Sequence, residues 1–286
     1  MRIEEFVSNS GPKLRGDYSR ARADFTVDQD PSAYTAEEQG LWRRLYARQM
    51  KILPGRAAPD YLRHLAALDA GDAIPDLEAV SRRLRRATGW ELAAVPGLIP
   101  DLAFFALLAE RRFPVTVWLR KPEEFDYIVE PDIFHDFFGH VPLLFEPAYA
   151  DYMQAYGRGG LKAARLDALA MLARLYWYTV EFGLVRTADG LRIFGAGILS
   201  SGGEVAYALE SPKPRRLAFD LERILRTEYR IDRFQDTYFV IESFARLVED
   251  TAPDFTPIYE RLRALPPIAP HAVMDGDRPV QAAAKM

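Results

Sequence analysis

The sequence predicts a mainly α fold, a single domain of packed helices carrying a few short strands. Three observations predict it. Apolar residues recur three and four positions apart through most of the chain, as in helices with one buried face. Strict alternation is confined to 113–120, a hairpin pattern at 185–194 and a short run at 238–241. No internal repeat or sharp change of composition divides the 286 residues, a length that holds one large domain or two ordinary ones.

Composition narrows the function classes. Apolar residues make up 49% and charged residues 27%, the balance of a soluble globular protein. A net charge of -4 offers no general attraction to nucleic acid or an anionic membrane. The absence of cysteine excludes disulfides, thiolate metal sites and a cysteine nucleophile. No apolar run approaches a membrane span, and 1–22 lacks the apolar core of a signal peptide. A cytoplasmic bacterial-type enzyme is compatible with all of this, as are many other proteins.

The polar stretch 1–31 has little periodicity and reads as an extended or partly disordered arm. Thr35 and Glu38 form a capping box that opens a helix, which Pro54 and Gly55 end. A second helix is expected over 59–70; His64, alone among apolar neighbours there, reads as a core or half-buried histidine. A third runs over 76–88, where Arg82, Arg83, Arg85 and Arg86 read as a solvated face with cations toward the helix C-terminus. A proline-punctuated loop at 94–100 precedes a helix over 101–112. The strand over 113–120 ends on Arg120, which suits either a grip on a carboxylate or an exposed strand end.

At Pro131-Asp-Ile-Phe-His-Asp-Phe-Phe-Gly-His140, two of the four histidines and two carboxylates fall within ten residues. Neutral imidazoles are good ligands for transition metals. On a regular helix, positions five apart are separated by about 140° and positions four apart by about 40°. His135 and His140 therefore need help from the backbone to converge, and Gly139 supplies a place for it. The zinc-protease pattern does not fit, because the spacing is five and the neighbour is Asp136. Either a metal site or two incidental histidines on one helix suits this segment.

Beyond it, a helix is expected over 147–158, a break at Gly157-Arg-Gly-Gly160, and a long helix from 161 or 167 to 183. Glu181 lies inside that apolar stretch, where a carboxylate is costly to bury alone. A third metal ligand or an ion pair with Arg174 would each account for it; two histidines and one carboxylate form the face that non-haem Fe(II) oxygenases use. The hairpin at 185–194 turns at Ala188-Asp-Gly190, Gly195-Ala-Gly197 permits close backbone approach, and Ser200-Ser-Gly-Gly-Glu204 resembles another capping box. Helices over 219–229 and 243–249 and a proline- and alanine-rich tail from 265, with a solvated His271, complete the chain.

Three ordered motifs go beyond generic patterns: Pro131-Asp-Ile-Phe-His-Asp-Phe-Phe-Gly-His-Val-Pro142, Leu175-Tyr-Trp-Tyr-Thr-Val-Glu-Phe-Gly-Leu184 and Phe194-Gly-Ala-Gly-Ile-Leu-Ser-Ser201. With Val95-Pro-Gly-Leu-Ile-Pro100 and Phe234-Gln-Asp-Thr-Tyr-Phe-Val240, they resemble the pterin-dependent aromatic amino acid hydroxylases over about 24–254, with the compact bacterial phenylalanine hydroxylases the nearest in pattern. The resemblance implies a catalytic domain over 24–264 between a flexible arm (1–23) and a flexible tail (265–286). It implies one Fe(II) held by His135, His140 and Glu181, and a tetrahydropterin beside Phe104, Asp136 and the Gly97-Leu98-Ile99 loop. Arg120, with Ser200 beside it, would hold the substrate carboxylate, and Pro131, Trp177 and Phe182 would line the ring pocket. Asp132 and Glu204 would orient the first histidine.

The implied reaction converts L-phenylalanine to L-tyrosine with O2, one oxygen atom going to the amino acid and the other to the pterin. Two departures stand out: Ile128 occupies the place of a threonine in animal members, and Asp136 that of a glutamate. No regulatory domain or tetramer helix is evident, so a monomer without substrate-driven activation is expected. By the same resemblance Trp177 would favour phenylalanine over tryptophan, tryptophan 5-hydroxylation being the nearest alternative. A zinc hydrolase and a non-catalytic amino-acid-binding protein are rivals from other classes, and neither accounts for Arg120, Trp177 and Phe104 together.

Overall fold

The N-terminal arm is built into the molecule by aromatic anchors. The computed structural model describes residues 3–10 and 14–281. Within them α1 (Ile3–Ser10) sets Phe6 against Tyr18 and Phe25, at ring-centroid distances of 6.0 and 5.5 Å. Tyr18 and Phe25 are buried, and the Tyr18 hydroxyl donates to the Leu98 carbonyl at 2.7 Å. The expected extended arm is thus a helix and a docked strap. Isolated anchors among polar neighbours left no periodic signal.

Helix α2 (Ala36–Ile52) starts where its capping box predicts: the Glu38 N–H donates to the Thr35 hydroxyl, and the Glu38 carboxylate accepts the Thr35 N–H at 2.8 Å. α3 (Pro59–Leu68) and α4 (Leu77–Ala87) also lie where expected, the latter capped by Asp76. Arg82 and Arg85 pair with Glu78 on the solvent side, and half-buried His64 stacks on Phe145.

A strand the sequence did not announce, β1 (Glu91–Val95), pairs in parallel with β2 (Arg112–Thr116) across α5 (Asp101–Ala109). β2 ends four residues before Arg120, so that arginine belongs to the following loop and not to a strand end.

The predicted glycine break is absent. α6 (Pro147–Arg165) runs straight through Gly157 and Gly160 because these glycines face α5 at contact distance. A Cβ on Gly157 would lie 2.5 Å from the Ala109 nitrogen, and one on Gly160 would lie 1.9 Å from the Phe105 ring. Close packing, not helix termination, explains them. The chain reverses at Asp167 and enters α7 (Leu169–Tyr176), which widens into a π-helical turn at Trp177–Glu181.

The second sheet contains β3 (Leu184–Thr187), β4 (Gly190–Ile193), β5 (Arg215–Ala218) and β6 (Thr237–Ile241) in the order β4-β3-β6-β5. The β3–β4 hairpin is antiparallel and the other pairings are parallel. Gly190 takes the positive φ of 104° that the hairpin turn requires. Between and after these strands come α8 (Ala196–Leu199), α9 (Glu204–Glu210), α10 (Leu221–Arg226), α11 (Phe244–Thr251) and α12 (Thr256–Arg263). β5 and α12 were not anticipated.

The tail is docked as far as residue 281, contrary to the flexible segment expected; 282–286 lie outside the described residues. Ile268 is buried, Asp277 pairs with Arg223 at 2.8 Å, and the Pro270 carbonyl accepts from Thr237 at 2.7 Å. Ionic and backbone pairs of this kind carry no hydrophobic period. Among the described residues no helix is long and apolar enough to cross a membrane.

The glycine contact gives a direct test. Gly160→Ala forces a methyl into the Phe105 ring, so urea denaturation should show a loss of about 2–3 kcal/mol. Unchanged stability would contradict the α5–α6 contact.

Candidate metal centre

Imidazoles five residues apart converge here because the helix carrying them is wide. Phe134–His140 is π-helical, so each turn closes with an i to i+5 bond and stacks position 140 over position 135. The backbone help that the spacing requires comes from this extra residue per turn. Gly139 serves packing: a Cβ there would lie 2.8 Å from the Ala196 Cβ of α8. The carboxylate that meets the histidines, Glu181, closes the other π-helical turn.

Three side chains form a compact triangle, with Glu181 turning one carboxylate oxygen toward each imidazole. His135 Nε2 and His140 Nε2 are 3.3 Å apart, His140 Nε2 and Glu181 Oε1 3.3 Å, and His135 Nε2 and Glu181 Oε2 3.5 Å. Donors this close leave room between them for a first-row divalent ion, whose bonds to imidazole and carboxylate are about 2 Å long. Among the described residues this is the one cluster of histidines and acids with ligand atoms so close. The Glu181–Arg174 alternative is not realised, since Arg174 donates to the Leu225 carbonyl.

The surroundings prepare these groups to bind a cation. Ser200 Oγ donates its single hydrogen to the Ala196 carbonyl at 2.9 Å, so it accepts from His135 Nδ1, also at 2.9 Å. That fixes the tautomer and leaves the Nε2 lone pair facing the triangle. Burial holds the His135 imidazole neutral, its pKa pushed down to about 4. Burial pushes the Glu181 carboxyl up, but both imidazoles and the Gly197 N–H outweigh it and keep its pKa below the ordinary value. His140 is buried with no hydrogen-bond partner at Nδ1, so its polar contact in this site is made through Nε2. Two imidazoles and one carboxylate converging on a single point are a donor set that fits a ferrous ion.

Asp132 and Glu204 do not touch the His135 ring, contrary to the orienting role expected for them. Fully buried Asp132 accepts the His135 backbone N–H at 3.0 Å and takes Arg120 bidentately, Nε at 2.8 Å and Nη2 at 2.9 Å. It caps the π-helix and aims the arginine. Glu204 accepts from the Tyr238 hydroxyl at 2.6 Å and the Gln235 N–H at 3.2 Å, and burial pushes its pKa up to about 7. The contact with the ring belongs to Ser200, placed by the sequence reading beside the substrate carboxylate.

The remaining candidates fall into two groups around the triangle. Trp177 stacks on Tyr229 at 4.2 Å and meets Phe182 at 4.6 Å, in the same π-turn region as Glu181. Pro131 immediately precedes Asp132 and is half-buried. Phe104 meets Tyr176 edge-on at 5.7 Å, and Tyr176 in turn stacks on the His140 ring at 6.3 Å. Asp136, nearly buried, accepts the Thr116 N–H at 2.8 Å. In the 97–99 loop, Leu98 is exposed and Gly97 has φ 157°; a Cβ on Gly97 would come within 2.8 Å of Glu130. The Gly97 backbone is thus packed tightly against Glu130, Tyr18 and Trp118.

Sequence reasoning missed Tyr176, Phe113 (5.0 Å from His140) and Gln235 as parts of the site. Tyr176 was legible only as one residue of the 175–184 motif, and nothing in the pattern separated Phe113 or Gln235 from ordinary core.

Comparison with known proteins agrees with this geometry. Residues 22–261 match the family described as biopterin-dependent aromatic amino acid hydroxylase. The chain is 56% identical over 279 residues to the phenylalanine-4-hydroxylase of Ralstonia nicotianae, covering 95% of this chain and 89% of that one. It is 58% identical over 240 residues to that of Chromobacterium violaceum, covering 84% and 81%. The iron- and phenylalanine-bound crystal structure of phenylalanine hydroxylase from C. violaceum superposes with a TM-score of 0.87 at 51% identity, covering 96% of this chain and 98% of that one. A cobalt-bound structure of the same enzyme gives 0.89 at 52%, with the same coverage.

The serine contact is testable without turnover. Ser200→Ala frees the His135 ring to rotate and change tautomer, so affinity for Fe(II) or Co(II), titrated anaerobically, should fall about tenfold. Wild-type affinity in that variant would remove Ser200 from the account.

Proposed function

The chain belongs to the biopterin-dependent aromatic amino acid hydroxylases, and from that premise we propose how its residues hydroxylate L-phenylalanine to L-tyrosine with O2, a reduced pterin and Fe(II). The single observation that carries the reading is the meeting of His135, His140 and Glu181, with donor atoms 3.3–3.5 Å apart, His135 held neutral by burial and the Glu181 carboxyl held below its ordinary pKa. These three residues hold the iron. Bound iron and reduced pterin supply the oxygen activation and the two electrons that no side chain supplies.

The protein's own work is positioning and exclusion. Asp132 occupies the Nε and Nη2 corner of Arg120 and leaves Nη1 as the donor available to a substrate carboxylate. Trp177, Phe182 and Pro131 enclose the substrate ring and bring it toward the iron, while their apolar surfaces keep water from the reacting face. Phe104 would stack on a bound pterin, the Gly97-Leu98-Ile99 backbone would border it, and Asp136, whose carboxylate already accepts the Thr116 N–H, would reach it through water. Glu204 supports the site at one remove through Tyr238 and Gln235. We assign the catalytic domain to 24–264, with the arm and tail packed on it, and place the reaction in the cytoplasm.

Anaerobic loading with Fe(II), followed by O2, a tetrahydropterin and each aromatic amino acid, should yield tyrosine from phenylalanine, identified by mass. Product formed without O2 or pterin would favour the zinc hydrolase instead, and an unaltered ligand the binding protein. His135→Ala and Glu181→Gln should each cut tyrosine formation by at least a thousandfold with circular dichroism unchanged, because an incomplete face does not retain the ion. Arg120→Ala should raise KM for phenylalanine at least tenfold with little change for pterin, the loss of a charge-assisted pair. Equal effects on both substrates would place Arg120 elsewhere in the mechanism.

A further inference from the structure

We propose that Gln235 is a specificity-setting positioning residue: its side-chain carbonyl anchors the Trp177 indole and so fixes the wall that favours a phenyl ring over an indole. The inference rests on the reading of Trp177 as a pocket wall.

Gln235 is almost fully buried, and both ends of its amide are committed. Oε1 accepts from Trp177 Nε1 at 2.9 Å, while Nε2 donates to the carbonyls of Arg230 at 3.1 Å and Arg233 at 3.4 Å. A flipped amide would set its NH2 against the indole N–H and its oxygen against two carbonyls, so only one orientation satisfies the site. The backbone is held too, because the Gln235 N–H donates to Glu204 Oε1, which also accepts from Tyr238.

The anchor supplies what stacking lacks. Trp177 lies on Tyr229 with centroids 4.2 Å apart and planes 14° apart, an arrangement that resists tilting but lets the indole slide or rotate in its own plane. A hydrogen bond at the ring edge removes that freedom. Trp177 is only half-buried, so packing alone does not hold it on every side. Without the anchor the indole can retreat from the pocket and admit a larger substrate ring. A pocket that selects by apolar volume discriminates only as well as its walls stay in place.

The test compares kcat/KM for phenylalanine and tryptophan in the wild type, Gln235→Met, Gln235→Glu, Trp177→Phe and the Trp177→Phe/Gln235→Met double variant, each checked by thermal unfolding. Gln235→Met, which lacks the acceptor, should lower the phenylalanine-to-tryptophan ratio about fivefold, the equivalent of one neutral hydrogen bond, through KM more than kcat. Gln235→Glu keeps the acceptor while losing the donors to the 230–233 loop, and its ratio should stay within about twofold of wild type. In the Trp177→Phe background no indole N–H remains, so adding Gln235→Met should shift the ratio no further. Should the methionine variant fail to fold, Gln235→Asn, one methylene short of the indole, should give the same shift. An unchanged ratio in Gln235→Met, or an equal shift with and without the indole, overturns the proposal while leaving Trp177 as the wall. A ratio unmoved by Trp177→Phe itself overturns both the wall and the anchor.

Discussion

Two imidazoles five residues apart share a focus only if the helix beneath them is wider than α. That constraint governs the centre of this molecule. The π-turn over Phe134–His140 satisfies it, and a second π-turn over Trp177–Glu181 brings the carboxylate to the same point. π-Helical geometry is unfavourable in isolation and persists where neighbours hold it. Here Asp132 caps the first turn through the His135 N–H, and α8 packs on Gly139 with no room for a side chain. The surrounding core therefore does for the metal triangle what second ligands do in smaller sites.

The same few contacts serve binding and chemistry together. Asp132 joins the histidine backbone to the arginine proposed for the substrate carboxylate, and Ser200 joins the histidine ring to α8. A change in one of these residues reaches both the metal and the amino acid. On the other flank, Phe104, Tyr176 and His140 form a file of rings from the proposed pterin side to the metal face. Rigid aromatic contacts of this kind hold distances to fractions of an ångström at small entropic cost.

Legibility in the sequence followed the range of the interaction that decided each feature. Helices set by local signals, such as the Thr35 capping box and the Asp76 cap, lie where their residues indicate. Features decided by distant partners were misread. Gly157 and Gly160 look like a helix break until α5 is seen against them, and the arm and tail look flexible until Phe6, Ile268 and Asp277 find their partners. The candidate site shows the same division. His135, His140 and Glu181 stand out as chemistry-bearing residues in apolar surroundings, whereas the ring contact expected of Glu204 is made by Ser200, because a hydrogen-bond partner is a matter of side-chain direction that spacing does not encode.

The central claim is that three named atoms share one ion. Crystals of the protein loaded anaerobically with Fe(II), measured at and below the iron absorption edge, locate that ion directly. The account predicts one strong anomalous peak about 2 Å from His135 Nε2, His140 Nε2 and a Glu181 carboxylate oxygen. Iron bound elsewhere, or bound to the histidines with Glu181 turned away, would contradict it.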